Sequence, residues 1–542
     1  MPYVKLIKLS LIKYCFPSTR IMLRLAFLAI LVHAAWTEVI VSTGKGQVIG
    51  YHSSDLSYTT FFGVPYAKVN ENNPFGESLP YPNFTTPYDA SDSTIRCPQA
   101  YFKPGGTLQC LVLNIYVPRR LDVLQVKPVL VWFHGGGFAF GSAGEYQGEL
   151  LAKHDIVVVT VNYRLGPYGF LCLDHPSVPG NQGLKDQVAA LRWIKENIHS
   201  FGGDADEVTI AGESYGGGGV ELHLYSEYEK LFDKAIIQSG SVLAQGFFMK
   251  PNYGTAKRIA IYLGHDVQTT EDALTALAKE PPSKVMEATK NMNIRLTVCK
   301  EKTFRGTKNF ITNHPDKLWD PDRVKNTPIL VGYNSKEDFD SFINQGESFY
   351  KKMGDIFRKK LKQHFVFTPK ELEFLSNNIK KFYLGDNVIE PNSYIELSDF
   401  SSDFILNWPI EWSVNKFVDQ GATVYKYMFS YVGGSVYKNI TGVGAIHTEE
   451  LKYLFGFYSK LTTPEQFLMR EWMTTMWTYF VKFGYLTDLL PIDWEPIPVN
   501  SSERPYLFID LEMRMESQAY RERMAFWDLF YYNYASKSVL LN

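Results

Sequence analysis

The sequence predicts an α/β fold, a mostly parallel central sheet flanked by helices, with helical insertions that cap it. Two observations predict it. Apolar, β-branched runs of strand length recur along the 542 residues, and segments of helical periodicity alternate with them. Strands that are apolar almost without a break are buried on both faces, which requires helices on both sides of the sheet. A 45% hydrophobic composition supplies the core that such a layered fold needs.

In chain order, the first 35 residues read as a targeting segment. Lys5, Lys8, Lys13, Arg20 and Arg24 precede or enter an apolar run from Leu25 to Val32, and the small residues Ala34 and Ala35 follow. This is the charge, apolar stretch and cleavage pattern of a secretory signal peptide, removed from the mature chain. Met22 is an alternative start, because the segment from there is a compact signal by itself. Residues 36–542 then form one domain, since no Pro/Gly/Ser-rich linker divides them. No later stretch reaches the eighteen or so unbroken apolar residues of a membrane span. The expected location is extracellular. Three sequons, at Asn83, Asn439 and Asn500, fit export as glycosylation acceptors.

The strand runs are Pro128–Phe133, Ile156–Val161, Val208–Ala211, Ala235–Gln238, Pro328–Val331 and Ala422–Phe429. A helix is predicted over Leu184–Asn197. Two more polar stretches, roughly 251–326 and 338–408, carry helical periodicity and read as insertions around the one sheet. Five cysteines are too few for a disulfide scaffold. Cys97 and Cys110 flank a short Gly-containing loop and can close it in an oxidising compartment. Cys15 leaves with the signal, Cys172 sits in an apolar segment and is expected to be buried, and Cys299 has no evident mate. The formal net charge of −2 gives no reason to expect nucleic acid or an anionic membrane as partner.

Two motifs carry chemistry. Gly212-Glu213-Ser214-Tyr215-Gly216 follows the strand 208–211 and precedes a helix. A tight strand-to-helix turn of this kind exposes a Ser hydroxyl as a nucleophile, and the glycines let strand and helix approach it. Gly217, Gly218 and Gly219 extend the small patch. His134-Gly135-Gly136-Gly137-Phe138 follows the strand 128–133. Bare glycine N–H groups there, at Gly136 and Gly137, can join that of Tyr215 to hold a negative oxygen. His134 opens that loop and is expected to support structure. The two motifs together, in this order, imply an α/β-hydrolase fold.

With these residues in view, the chain resembles the type-B carboxylesterase/cholinesterase family, in an insect-like version. The likeness runs through Phe62–Ala67, Cys110–Asn114, Trp132–Phe138, Val161–Gly166, Asn181–Gln187, Phe201–Asp204, Gln238–Ser241 and Met476–Lys482. It implies a serine carboxylesterase acting on small-molecule esters without metal or cofactor. It places the triad acid at Glu337 in Gly332-Tyr-Asn-Ser-Lys-Glu337-Asp338, where the family's usual Gly is replaced by Asp338. It places the base at His447, before Thr448-Glu449-Glu450-Leu451. Glu213 and Ser239 match supporting positions. Tyr215 stands where the family usually has Ala. A cholinesterase would need a Trp in the loop between Cys97 and Cys110, and residues 98–109 contain none. Juvenile-hormone esterases usually show Gly-Gln-Ser-Ala-Gly, from which this chain departs at Glu213 and Tyr215. A weakly active or inactive cholinesterase-like binding or adhesion protein is the alternative from another class.

Overall fold

The computed structural model describes residues 38–101, 104–119, 126–456, 460–487, 489, 492–500 and 502–539. The predicted signal segment, 1–35 with Met22 and Cys15, lies outside the described residues. One sheet of thirteen strands organises the rest. In chain order these are β1 (Glu38–Thr43), β2 (Gly46–His52), β3 (Tyr58–Pro65), β4 (Tyr88–Asp89), β5 (Val112–Pro118), β6 (Lys127–Phe133) and β7 (Val157–Val161). They continue with β8 (Gly203–Glu213), β9 (Lys234–Gln238), β10 (Ile329–Asn334), β11 (Val424–Phe429), β12 (Pro505–Ile509) and β13 (Arg514–Ser517). The spatial order is β1-β2-β3-β5-β7-β6-β8-β9-β10-β11-β12-β13, with β4 alongside β2. Every pair from β7 through β6 to β12 is parallel. The β1–β2, β2–β3, β3–β5, β5–β7 and β12–β13 pairs are antiparallel.

The predicted runs are the parallel centre of this sheet. The antiparallel flanks were not foreseen, although β5 is buried along its whole length. Strand β1 alternates exposed and half-buried residues along a sheet edge. Strand β8 also begins five residues before the predicted Val208.

Alternation along the strands divides the core into two layers. Val129, Val131 and Phe133 of β6 join Leu184, Val188, Leu191 and Ile194 of helix α1 (Gln182–Asn197) on one face. Leu130 and Trp132 join Met469, Met473, Trp477 and Phe480 of a twenty-residue helix, Pro464–Phe483, on the other. Thr463 and Gln466 start that helix with a reciprocal capping box. The stretch 251–326 carries helices Thr255–Tyr262, Thr270–Lys279 and Pro282–Asn291. The stretch 338–408 carries Ile356–His364, Pro369–Leu384 and Tyr394–Ser402. Both stretches are helical insertions, as their periodicity predicts.

Cys97 and Cys110 are bonded, as expected. Cys172 is buried, as expected, and it forms a second disulfide with Cys299, for which the sequence showed no mate. The two are 127 residues apart, and both are buried. No local pattern marks such a pair, since only the folding of the 251–326 insertion onto the sheet brings them together. Among the described residues no helix is long and apolar enough to cross a membrane.

Candidate active site

The motifs converge at the carboxyl ends of β6, β8, β9, β10 and β11, where open parallel sheets present their ligand sites. Strand β8 ends at Glu213, and helix α2 (Tyr215–His223) begins immediately after Ser214. Ser214 therefore takes φ 56° and ψ −124°, a strained conformation for a non-glycine residue. The fold forces it there by close backbone contacts. A Cβ on Gly216 would lie 2.1 Å from the Phe133 carbonyl oxygen, and one on Gly212 would lie 2.5 Å from the carbonyl carbon of Gly216. The Ser214 N–H is fixed by donating to the Gln238 carbonyl at 2.9 Å.

Glu337 follows β10 and His447 follows β11. Nδ1 of His447 lies 2.6 Å from one Glu337 carboxylate oxygen. The other Glu337 oxygen accepts from the Ser239 hydroxyl at 2.6 Å and from the Asn334 N–H at 2.7 Å. Glu337 is thus buried with both carboxylate oxygens engaged, which suits an acid that orients an imidazole. Ser214, Glu337 and His447 line one cavity of about 330 Å³. Among the described residues the Ser214 hydroxyl makes no hydrogen bond; such contacts often tighten only when substrate is bound.

On the other edge of the ring, Nε2 of His447 lies 3.1 Å from a Glu213 oxygen, outside hydrogen-bond geometry. Burial, only partly offset by the His447 charge, pushes the Glu213 carboxyl up to about 8. Burial also opposes a charged His447, but the carboxylates of Glu213 and Glu337 outweigh it and push the ring up to about 10. A neutral Glu213 cannot also hold up the imidazolium, so the full rise belongs to the state with Glu213 ionised. Glu213 and His447 titrate as a pair.

The glycine loop abuts this pair. A Cβ on Gly135 would lie 3.0 Å from that of Ser214. Gly136 and Gly137 take φ 98° and 62°, and a side chain on Gly136 would meet the Phe140 carbonyl oxygen at 2.2 Å. Neither N–H donates a hydrogen bond among the described residues. Tyr215 opens helix α2, where its N–H has no intrahelical partner. The N–H groups of Gly136 and Gly137 are thus unpaired among the described residues, in the loop whose Gly135 abuts Ser214. His134 plays the structural part expected of it. Its buried ring stacks on Tyr163 at 4.4 Å, contacts the Gly135 carbonyl at 2.8 Å, and is held down to about 4 by burial.

The departures from the family pattern have local explanations. Asp338 accepts from the hydroxyls of Ser341 and Ser401, and its N–H donates to Ser402 at 3.0 Å, which ties the acid loop to the second insertion. The Tyr215 ring fits between Phe138 and Phe247, each at 5.2 Å, and its hydroxyl meets Arg295. Two site residues had no sequence signal. Arg295 belongs to an insertion with no motif. Glu450 is indistinguishable from Glu449 in the chain, yet it is buried and accepts from Asn334 at 2.6 Å and Gln238 at 2.9 Å, fixing the turn that carries His447.

The profile of the Carboxylesterase family matches residues 37–527. The chain belongs to that family. It is a carboxylic ester hydrolase by membership. It is 32% identical to a juvenile hormone esterase of Heliothis virescens over 79% of this chain and 83% of that one. It is 29% identical to esterase FE4 of Myzus persicae, over 85% and 87%. The crystal structure of juvenile hormone esterase from Manduca sexta, with OTFP covalently attached, superposes with a TM-score of 0.78 at 27% identity, covering 91% of this chain and 99% of that one. The departures at Glu213 and Tyr215 thus occur in a carboxylesterase whose relatives include juvenile hormone esterases.

Proposed function

We propose that this carboxylesterase hydrolyses small carboxylic esters through an acyl-enzyme on Ser214. His447 takes the Ser214 proton as the oxygen attacks the ester carbonyl. Glu337 holds the imidazole tautomer and stabilises the imidazolium. N–H groups of Gly136, Gly137 and Tyr215 hold the oxyanion. The imidazolium returns its proton to the departing alcohol. Water, deprotonated by His447, then releases the acid and restores Ser214. The observation that carries this reading is the 2.6 Å pair of His447 and Glu337 in one cavity with a strained Ser214. Ser239 positions Glu337, and Glu213 sets the charge around His447.

We further infer export and glycosylation. Two disulfides suit an oxidising compartment. Asn83, Asn439 and Asn500 are all exposed, as acceptors must be.

A fluorophosphonate probe tests the nucleophile. Mass spectrometry is expected to find the adduct on the peptide containing Ser214, with p-nitrophenyl ester hydrolysis lost in proportion. Absence of an adduct on folded protein refutes the reading and favours a binding or adhesion protein.

Glu213→Gln tests the charge assignment. The Glu213 carboxylate raises the pKa of His447, so its removal lowers it. The acid limb of the pH profile of kcat/KM is expected to move to lower pH by about one unit. An unmoved limb would show that Glu213 has only a packing role.

A further inference from the structure

We infer that Arg295 is a specificity-determining residue, giving the Ser214 site a preference for esters that carry a carboxylate or similar anion away from the scissile bond. The inference rests on the proposed hydrolysis at Ser214. Arg295 lines the cavity that holds Ser214 and His447. It also lines a neighbouring cavity of about 330 Å³ that contains Gly136 and Gly137. Its guanidinium therefore stands at the partition between the two spaces around the nucleophile.

The seat of this cation is built. The Tyr215 hydroxyl meets one terminal nitrogen, and the Tyr215 ring lies 5.8 Å from the guanidinium. Gly246 takes φ 80°, and a Cβ there would lie 2.2 Å from another guanidinium nitrogen. The backbone thus leaves room that the arginine fills. Tyr215, the bulky residue where the family usually has Ala, is what holds Arg295 at the site.

The charge is also available. Among the described residues no carboxylate lies within ion-pair distance of Arg295, and its hydrogen-bond partner is a neutral phenol. A guanidinium presents five donors in a fixed fork suited to a carboxylate. Lys360 and His364, on helix Ile356–His364, lie within electrostatic range of it. Lys360 has no ion-pair partner among the described residues either. Burial, with smaller contributions from Lys360 and Arg295, holds His364 down to about 4. Asp338 and Asp340 line the same cavity and oppose an anion. Both Asp338 oxygens are already engaged by Ser341 and Ser401. Burial and the neighbouring Asp338 raise the Asp340 carboxyl.

The test uses matched esters and the ratio of their kcat/KM values. On the acyl side, the mono-p-nitrophenyl ester of octanedioic acid is compared with p-nitrophenyl octanoate. On the alcohol side, 4-acetoxybenzoate is compared with 4-acetoxybenzamide. The anionic-over-neutral ratio is expected to fall about tenfold or more in Arg295→Gln on the side where the anion sits, mainly through KM. Arg295→Lys is expected to retain part of it. Unchanged ratios on both sides overturn the inference. Failure of the natural protein to cleave any of the four esters overturns the hydrolysis reading instead. A measurement on the natural protein needs no variant: added KCl is expected to weaken inhibition by octanoate more than inhibition by octanamide. Equal responses overturn the inference.

Discussion

Ser214→Ala and His447→Ala are each expected to lower kcat for a p-nitrophenyl ester by about 10⁴- to 10⁶-fold, and the double variant to lose no more than the weaker single variant. The reason is that the two side chains perform one act. Without the hydroxyl, His447 has nothing to deprotonate. Without the ring, the hydroxyl stays protonated and attacks slowly. Glu337→Gln is expected to cost about 10⁴-fold, since an amide can favour the wrong imidazole tautomer while the geometry survives. The residue left by all three is the glycine loop with the Tyr215 N–H, so some rate above water is expected to persist. Steady-state kinetics together with circular dichroism separates loss of chemistry from loss of fold. Near-normal turnover by folded Ser214→Ala, or additive losses in the double variant, would refute the assignment.

Legibility in the sequence followed how local the constraint was. The elbow and the glycine loop were readable because their glycines answer backbone contacts a few ångströms away, as at Gly216 against Phe133. The central parallel strands were readable because burial on both faces leaves a continuous apolar run. Glu337 and His447 were placed only through family resemblance, since an acid and a base separated by over a hundred residues leave no periodicity. The Cys172–Cys299 bond, Glu450 and Arg295 depend on which surfaces the insertions meet after folding. The edge strands escaped because half-exposed residues look like loop. The glycine row after Tyr215 was read as close packing, and the structure supplies the partners. Gly217 approaches the Gln238 carbonyl, and Gly218 approaches Phe247.

Asp186→Ala is expected to destabilise the fold by about 3–5 kcal/mol, the cost of leaving a buried cation without its partner. Arg164 and Asp186 lie in the family-like segments Val161–Gly166 and Asn181–Gln187, and neither side chain touches the cavity around Ser214. They form a two-pronged pair, with Nε and Nη2 of Arg164 each 2.7 Å from a carboxylate oxygen. Side-chain exposure is 1% for Arg164 and 0% for Asp186. The other terminal nitrogen donates to the carbonyls of Pro74 and Gly76 at 3.0 and 2.6 Å. The pair therefore joins helix α1, the segment after β7 and the chain near residue 75. The segment after β7 also grips the glycine loop at both ends. The Tyr163 hydroxyl donates to the His134 carbonyl at 2.5 Å, and the Gly166 N–H donates to the Phe138 carbonyl at 2.7 Å. Loosening the pair therefore reaches the oxyanion donors without touching substrate. Asp186→Ala is expected to show a lower urea midpoint at unchanged slope, with reduced kcat where it remains folded. Replacing both partners with apolar residues, as Arg164→Met with Asp186→Leu, is expected to recover part of the loss, because no charge is then stranded. A midpoint shift worth less than about 1 kcal/mol in the single variant would show that water reaches Arg164 and that the pair does not hold the loop.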